Sequence, residues 1–167
     1  EYFKDEAEIA MAKAEIFDGL DKDGAVILNR DNLHYFALAR RAKELGLTDI
    51  KSFGTDAVAN YRLFEANIVN DGSAVRARID GHELEYFIGC PGEHWVVNSL
   101  AVLGCVAAIG ADVERAARDL ADVTPPAGRG ETSTVKLPSG NGTFTLIDDA
   151  YNANPTSMMA GIKVLAQ

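Results

Sequence analysis

Apolar residues recur at helical spacing from residue 5 to 18 and stop at Gly19, which predicts a first helix. Projected at about 100° per residue, its apolar side consists of Ile9, Ala10, Ile16, Phe17 and Leu20, and Lys13 falls in the middle of that side. "DKDG" then turns the chain into "AVIL" at 25–28, an unbroken apolar run that reads as a buried strand. A second helix is predicted over 32–45, with Leu33, Phe36, Ala37 and Leu45 on its apolar side and Gly46 as its stop. Residues 50–53 read as a further short strand.

From 62 to 88 the pattern changes to short runs, "RLFEANIV", "SAVRARI" and "HELEYFI", separated by "NDG" and "DG". These are hairpin turn signals and predict a three-stranded antiparallel meander. "GEHWVVNSLAVLGCVAAIG" predicts a nearly all-apolar helix, expected to be too buried for a surface element, and "ADVERAARDLADV" an amphipathic one. "TPPAGRGE" at 124–131 has the proline and glycine content of a linker. Beyond it "TVKLP", "SGNG" and "TFTLID" predict a hairpin, and "NPTSMMAGIKVL" a helix with Asn154 as N-cap and Pro155 in its first position. The expected fold is α/β: a mixed sheet with flanking helices and an antiparallel meander over 1–127, then a linker and the first strands and helix of a second domain over 128–167.

A length of 167 residues fits one domain or a piece of something larger. The 47% hydrophobic and 25% charged content is that of a soluble globular protein. A net charge of -9 argues against non-specific binding to nucleic acid or to anionic membrane. Cys90 and Cys105 lie in apolar surroundings and read as buried free thiols, which suggests a reducing compartment and hence the cytoplasm. No apolar run reaches the roughly 18 residues of a membrane span, and the acidic opening "EYFKDEAE" is unlike a signal peptide. That opening also lacks an initiator Met, so the expectation is a chain cut from a longer one.

Four places can carry chemistry. Lys13, on an apolar face, is either a stem covering apolar surface with its ammonium in water, or a buried amine neutral enough to react. In "GEHWVVNS", His94 and Asn98 are four apart and share a helix face near a free N-terminus; they either read a base or phosphate, or form a polar capping turn. Arg129 sits between glycines in the joint, as a phosphate ligand at an inter-domain cleft or as a solvated linker arginine. "DDAYNANPTS" at 148–157 gathers Asp148, Asp149, Tyr151, Asn152 and Asn154 at a strand's carboxyl end, where open α/β sheets bind ligands. Helix capping and a turn would account for two of these five. No GxxxxGK[ST] loop, GxGxxG, zinc-spaced Cys/His set or nucleophile elbow is present.

The order and spacing of "IAMAKAEIFDGL", "AVILNRDN", "PGEHWVVNSLAV", "GRG" and "LIDDAYNANPTSM" resemble the Mur ligase family, almost from end to end. "DDAYNANP" is the most specific piece and is similar to the branch that adds D-alanyl-D-alanine to UDP-N-acetylmuramoyl-tripeptide (UDP-MurNAc-tripeptide) in peptidoglycan precursor synthesis. The resemblance implies an ATP-dependent, magnesium-using peptide ligase working through an acyl phosphate, with this chain covering the latter part of the ATP-binding central domain and the start of a Rossmann-like C-terminal one. It matches Lys13 to a lysine that relatives carbamylate to help hold magnesium. It matches His94, Asn98, Arg129 and Asp149 to nucleotide-binding positions, and Tyr151, Asn152 and Asn154 to the side facing the amino substrate. Glu93 and Trp95 depart from the family pattern, and an acid is unfavourable beside a phosphate. The family's UDP-sugar domain and phosphate loop are absent from the sequence, so these residues alone are expected to be inactive. The alternatives are a related ligase with another amino substrate and a stand-alone nucleotide-binding or regulatory module.

Overall fold

Five strands form one sheet in the order of the sequence: β1 (Val26–Asn29), β2 (Ile50–Gly54), β3 (Tyr61–Val69), β4 (Gly72–Ile79) and β5 (His82–Ile88). The structure, a computed structural model, describes residues 3–138, 140–151 and 153–165. Parallel pairing joins β1 to β2 and β2 to β3, while β3, β4 and β5 pair antiparallel. The parallel β1–β2 pair needs a crossover, which α2 (Tyr35–Glu44) supplies. The meander expected over 62–88 is present, and its last turn places Asp80 and Gly81 at φ 49° and 86°, the two positive values of a tight hairpin turn. Two reversals leave β5 running in the direction of β1 and β2. The carboxyl ends of these three strands, and the start of α3 (Glu93–Ala108) just after β5, therefore share one edge of the sheet.

The main core lies under α3. Val96, Leu100 and Leu103 of the helix are buried against Tyr61, Ile79 and Ile88 of the sheet, each contributing about 1.5–3 kcal/mol of apolar burial. Polar atoms inside this core are paired. The Ser99 hydroxyl donates to the Val96 carbonyl at 2.7 Å, so the Tyr86 hydroxyl donates to Ser99 Oγ at 2.7 Å. Burial pushes the Tyr86 pKa up to about 12, which keeps that donor protonated. Where α3 crosses β3 the helix carries Gly104, and a Cβ there would stand 2.5 Å from Cε2 of Tyr61.

A second cluster joins α1 (Glu6–Ala14), the 3-10 turn Glu15–Gly19, β1 and α2 through Ala14, Phe17, Val26, Leu28, Ala39, Ala42 and Leu47. Here the faces differ in part from those predicted: Ala10 and Phe17 are buried as expected, but several larger residues are not. Alanines make the contact: Ala10 and Ala14 of α1 and Ala39 and Ala42 of α2 are buried, while Ile16, Leu33 and Phe36 are 73%, 86% and 73% exposed. Two causes are visible. Close helix approach favours the small residues, and the change to three residues per turn after Ala14 moves Ile16 off the helical projection. Lys13 leaves the buried side as a result and is exposed. The burial on which its neutral-amine chemistry was premised is not there. Likewise α3 is not buried all round: Val102 and Ile109 are open to solvent. Cys105 shares that open side, so only Cys90 is a buried thiol.

After α4 (Val113–Asp119) and the linker, β6 (Glu131–Lys136) and β7 (Thr143–Asp148) pair antiparallel as a separate two-stranded sheet, followed by α5 (Pro155–Leu165).

Replacing Gly104 by Ala should lower stability by about 1–3 kcal/mol through overpacking against Tyr61. Gly19→Ala, with nothing within 4 Å of the added atom, should change it by no more than about 0.5 kcal/mol. Urea unfolding of both variants checks the contrast; equal midpoints would show that α3 can back away from β3.

Candidate functional site

The carboxyl edge of the sheet leads into α3 through Gly92, at φ 122°, a value that side chains other than hydrogen rarely adopt. That conformation starts the helix so that His94 and Asn98, four residues apart, present one face. His94 and Trp95 add adjacent rings, with centroids 5.4 Å apart and planes inclined by 44°.

The linker approaches this face from the other side. Arg129 stands between Gly128 (φ 71°) and Gly130 (φ 86°). Tyr151 N donates to the Gly128 carbonyl at 3.0 Å, and Gly130 N donates to the Asp148 carbonyl at 2.8 Å. These two bonds tie the linker to the end of β7. The Arg129 guanidinium lies over the Tyr151 ring, 4.7 Å from its centroid. Beyond, Asn154 caps α5: Ser157 N donates to Asn154 Oδ1 at 3.0 Å, and Met158 N to the Asn154 carbonyl at 2.9 Å.

Between the two sides lies a pocket of about 390 Å³ lined by His94, Trp95, Asn98, Arg129, Asp149 and Asn154, with Gly128, Ser157 and Ala160 completing it. Four stretches far apart in the sequence thus converge. Tyr151 supports Arg129 from beneath, Lys13 is not in the lining, and Asn152 lies outside the described residues. Sequence reasoning missed Trp95, Gly128, Ser157 and Ala160. Ser157 was detectable, being three residues beyond a predicted Asn cap, the spacing at which a cap bonds; Ala160 carries no such signal.

The chemistry of the lining suits a planar, phosphate-bearing ligand. The Asn98 amide offers donor and acceptor together, as the edge of a base requires. Trp95 and His94 offer ring faces, Arg129 a fork for phosphate, and Asp149 acceptors for hydroxyl groups. Burial lowers the His94 pKa from its usual 6.5, and the Asp149 carboxylate acts in the opposite direction. Among the described residues no group of three or more His, Cys, Asp or Glu side chains is placed to hold a metal ion.

The sequence model of the Mur ligase middle domain matches residues 1–106. The chain is 30% identical, over all of its 167 residues, to a UDP-N-acetylmuramoyl-tripeptide–D-alanyl-D-alanine ligase of Rickettsia prowazekii, of which it covers 36%. Identity to the ligase of the same name from Bacillus subtilis is 34% over 156 residues, 93% of this chain and 31% of that one. A crystal structure of MurF from Acinetobacter baumannii superimposes with a TM-score of 0.85 over 99% of this chain and 34% of its own, at 26% identity. MurF of Thermotoga maritima in complex with ADP shares the fold, with a TM-score of 0.79 at 18% identity over 99% of this chain and 36% of that one. The chain spans about a third of the length of the curated relatives it matches.

The electrostatic coupling inside the pocket is open to test. Asp149 favours protonated His94, so Asp149→Asn should move the His94 pKa further down, as followed by NMR titration of the imidazole C–H signals. The sign for stability follows as well. With its folded pKa below the unfolded value, His94 contributes stability at neutral pH that is lost as pH falls through about 6.5 toward the folded pKa. An Asp149→Asn variant whose His94 titrates as before would show that the two groups do not face each other.

Proposed function

Since this chain belongs to the Mur ligase family, we propose that it supplies the nucleotide-facing part of an ATP-dependent ligase that joins D-alanyl-D-alanine to UDP-N-acetylmuramoyl-tripeptide. The observation that carries this reading is the convergence of His94, Asn98, Arg129 and Asp149 on one pocket. The identity of 30–34% to ligases of that activity supports the choice of substrates. The activity is proposed for a protein in which these 167 residues work with a phosphate loop, because no such loop is present in the sequence.

When bound in this pocket, ATP would give its γ-phosphoryl group to the tripeptide's terminal carboxylate, releasing ADP, and the dipeptide's amine would then displace phosphate to form the peptide bond. The residues of this chain bind and orient. Asn98 reads the base edge, with His94 and Trp95 beside it. Arg129 neutralises phosphate charge from a position fixed by Tyr151, and Asp149 accepts from ribose hydroxyls. The family resemblance assigns Tyr151, Asn152 and Asn154 to the amino substrate; Asn152 lies outside the described residues, and Asn154 also borders the nucleotide pocket. We also assign Lys13 the place of the family's carbamylated lysine; its exposure means that a carbamate would extend from the surface of α1. Among the described residues no group of three or more His, Cys, Asp or Glu side chains is placed to hold a magnesium ion.

No helix among the described residues is long and apolar enough to cross a membrane. A cytoplasmic setting fits this and fits the buried free Cys90. The net charge of -9 fits small-molecule substrates better than nucleic acid.

Calorimetric titration of the chain with ADP tests the pocket. Arg129→Ala and Asp149→Ala should each weaken binding by about tenfold to a hundredfold, the worth of a charge-assisted hydrogen bond; unchanged affinities would remove both residues from the site. For the reaction, phosphate release by the protein of the full reading frame with ATP and the UDP-tripeptide should rise on adding D-alanyl-D-alanine and not on adding glutamate. Equal stimulation by both would count against the substrate assignment.

A further inference from the structure

Beside the nucleotide pocket lies a groove of about 720 Å³ between α3 and α5. The two spaces have His94, Asn98 and Ala160 in common, whereas Arg129 and Asp149 line the nucleotide pocket alone. The groove therefore opens off the base end of the pocket, away from the phosphate end. Helix geometry explains the arrangement, because side chains one residue apart are turned by about 100° and lie on neighbouring stripes. On α3, Trp95 lines the nucleotide pocket, His94 and Asn98 line both spaces, and Glu93 and Val97 line the groove. On α5, Ser157 lines the pocket, Ala160 both, and Pro155, Met159 and Lys163 the groove. A gap between two helices needs no ligand to exist, and water suffices to fill a polar one. The walls here are largely apolar, made by Ile68, Val97, Pro155 and Met159, with Glu93 and Lys163 adding one charge of each sign.

We propose that this groove is a subsite for an apolar substituent on the exocyclic amine (N⁶) of the bound adenine, so that the site accepts N⁶-substituted adenine nucleotides. The proposal rests on the nucleotide reading above and deepens it. Asn98 is the residue that carries it. A side-chain amide reads adenine through one amine hydrogen and one neighbouring ring nitrogen, acceptor to donor and donor to acceptor. The amine has two hydrogens, and Asn98 Oδ1 takes one. Because Asn98 also lines the groove, the second hydrogen has an apolar space beside it and not a wall. On the α5 side the shared residue is Ala160, whose single methyl group leaves width for a substituent to pass. Beyond it, an apolar group would take surface of Val97 and Met159 out of water, and Met159 is 55% exposed. Glu93 lines the groove and not the nucleotide pocket, which keeps that acid apart from the phosphate-binding Arg129.

Calorimetric titration of the chain with ADP, N⁶-methyl-ADP, N⁶-benzyl-ADP and N⁶,N⁶-dimethyl-ADP tests this. The monomethyl compound should bind at least as tightly as ADP, and the benzyl compound about tenfold more tightly through burial of its ring. The dimethyl compound has no amine hydrogen left for Asn98 and should bind about tenfold more weakly than the monomethyl one. Met159→Trp, at an exposed position outside the nucleotide pocket, and Val97→Phe both fill the groove. Each should cancel the benzyl advantage and leave the affinity for ADP unchanged. Benzyl binding no tighter than that of ADP in wild type would overturn the subsite. So would a benzyl advantage that survives the substitutions, or equal binding of the mono- and dimethyl compounds. The ligand series compares wild type with itself, so a variant that misfolds does not block the test. A chain that binds ADP but gains nothing from the benzyl group loses the subsite and keeps the nucleotide reading. One that binds no nucleotide loses both.

Discussion

The contact on which the rest depends is α3 laid flat across the sheet. Leu100, Leu103 and Val96 bury against Tyr61, Ile79 and Ile88, and Gly104 lets the helix come down onto the Tyr61 ring. A helix held at that distance along one side cannot roll or slide by a residue without opening a cavity or a clash. The Tyr86–Ser99 hydrogen bond fixes its rotation further, because another register would leave the buried Tyr86 hydroxyl unpaired. His94 stands two residues before Val96, and Asn98 between Val96 and Ser99, on the same helix. Their aim toward the linker follows from the core and not from any contact they make themselves.

Element types were legible because they rest on local signals. The "NDG" and "DG" turns, the glycine stops and the Asn-Pro start of α5 all act through backbone geometry within a few residues, and each element they bound is found. Which face an element buries was less legible, since it depends on how closely a neighbour approaches. In α1 and its 3-10 extension the predicted face kept Ala10 and Phe17 but lost Ile16, and in α2 helix contact selected Ala39 and Ala42 over Leu33 and Phe36. Lys13 was misplaced for that reason. In α3, composition suggested burial all round, but only one side meets the sheet, and Val102, Cys105 and Ile109 stay open.

The candidate site was legible to the extent that its chemistry is carried by unusual residues. His94, Asn98, Arg129 and Asp149 stand out as polar groups at helix starts, joints and strand ends, and they border one pocket. Val97, Met159 and Lys163 looked like ordinary helix residues, and only the position of α5 relative to α3 gives them a common surface; Trp95, noted in the sequence only as a departure from the family pattern, lines the other pocket.

Arg129 shows how the linker contributes more than length. Two flanking glycines with positive φ let the chain turn sharply enough to present its side chain, while bonds from Tyr151 N and to the Asp148 carbonyl fasten the backbone on both sides. The guanidinium is held by the face of the Tyr151 ring, and among the described residues it makes no ion pair with Asp149 or any other acid. That choice of partner matters. A carboxylate would occupy the N–H donors in the guanidinium plane, whereas an aromatic face attracts the cation from above and leaves those donors directed outward. A ring is therefore the partner suited to an arginine that must be positioned in advance and still have its hydrogen bonds to give. The tyrosine of "DDAYNANPTS" does this work from outside the pocket. Its neighbour Asp149 stands inside, so one short stretch both orders the cation and supplies the opposite charge.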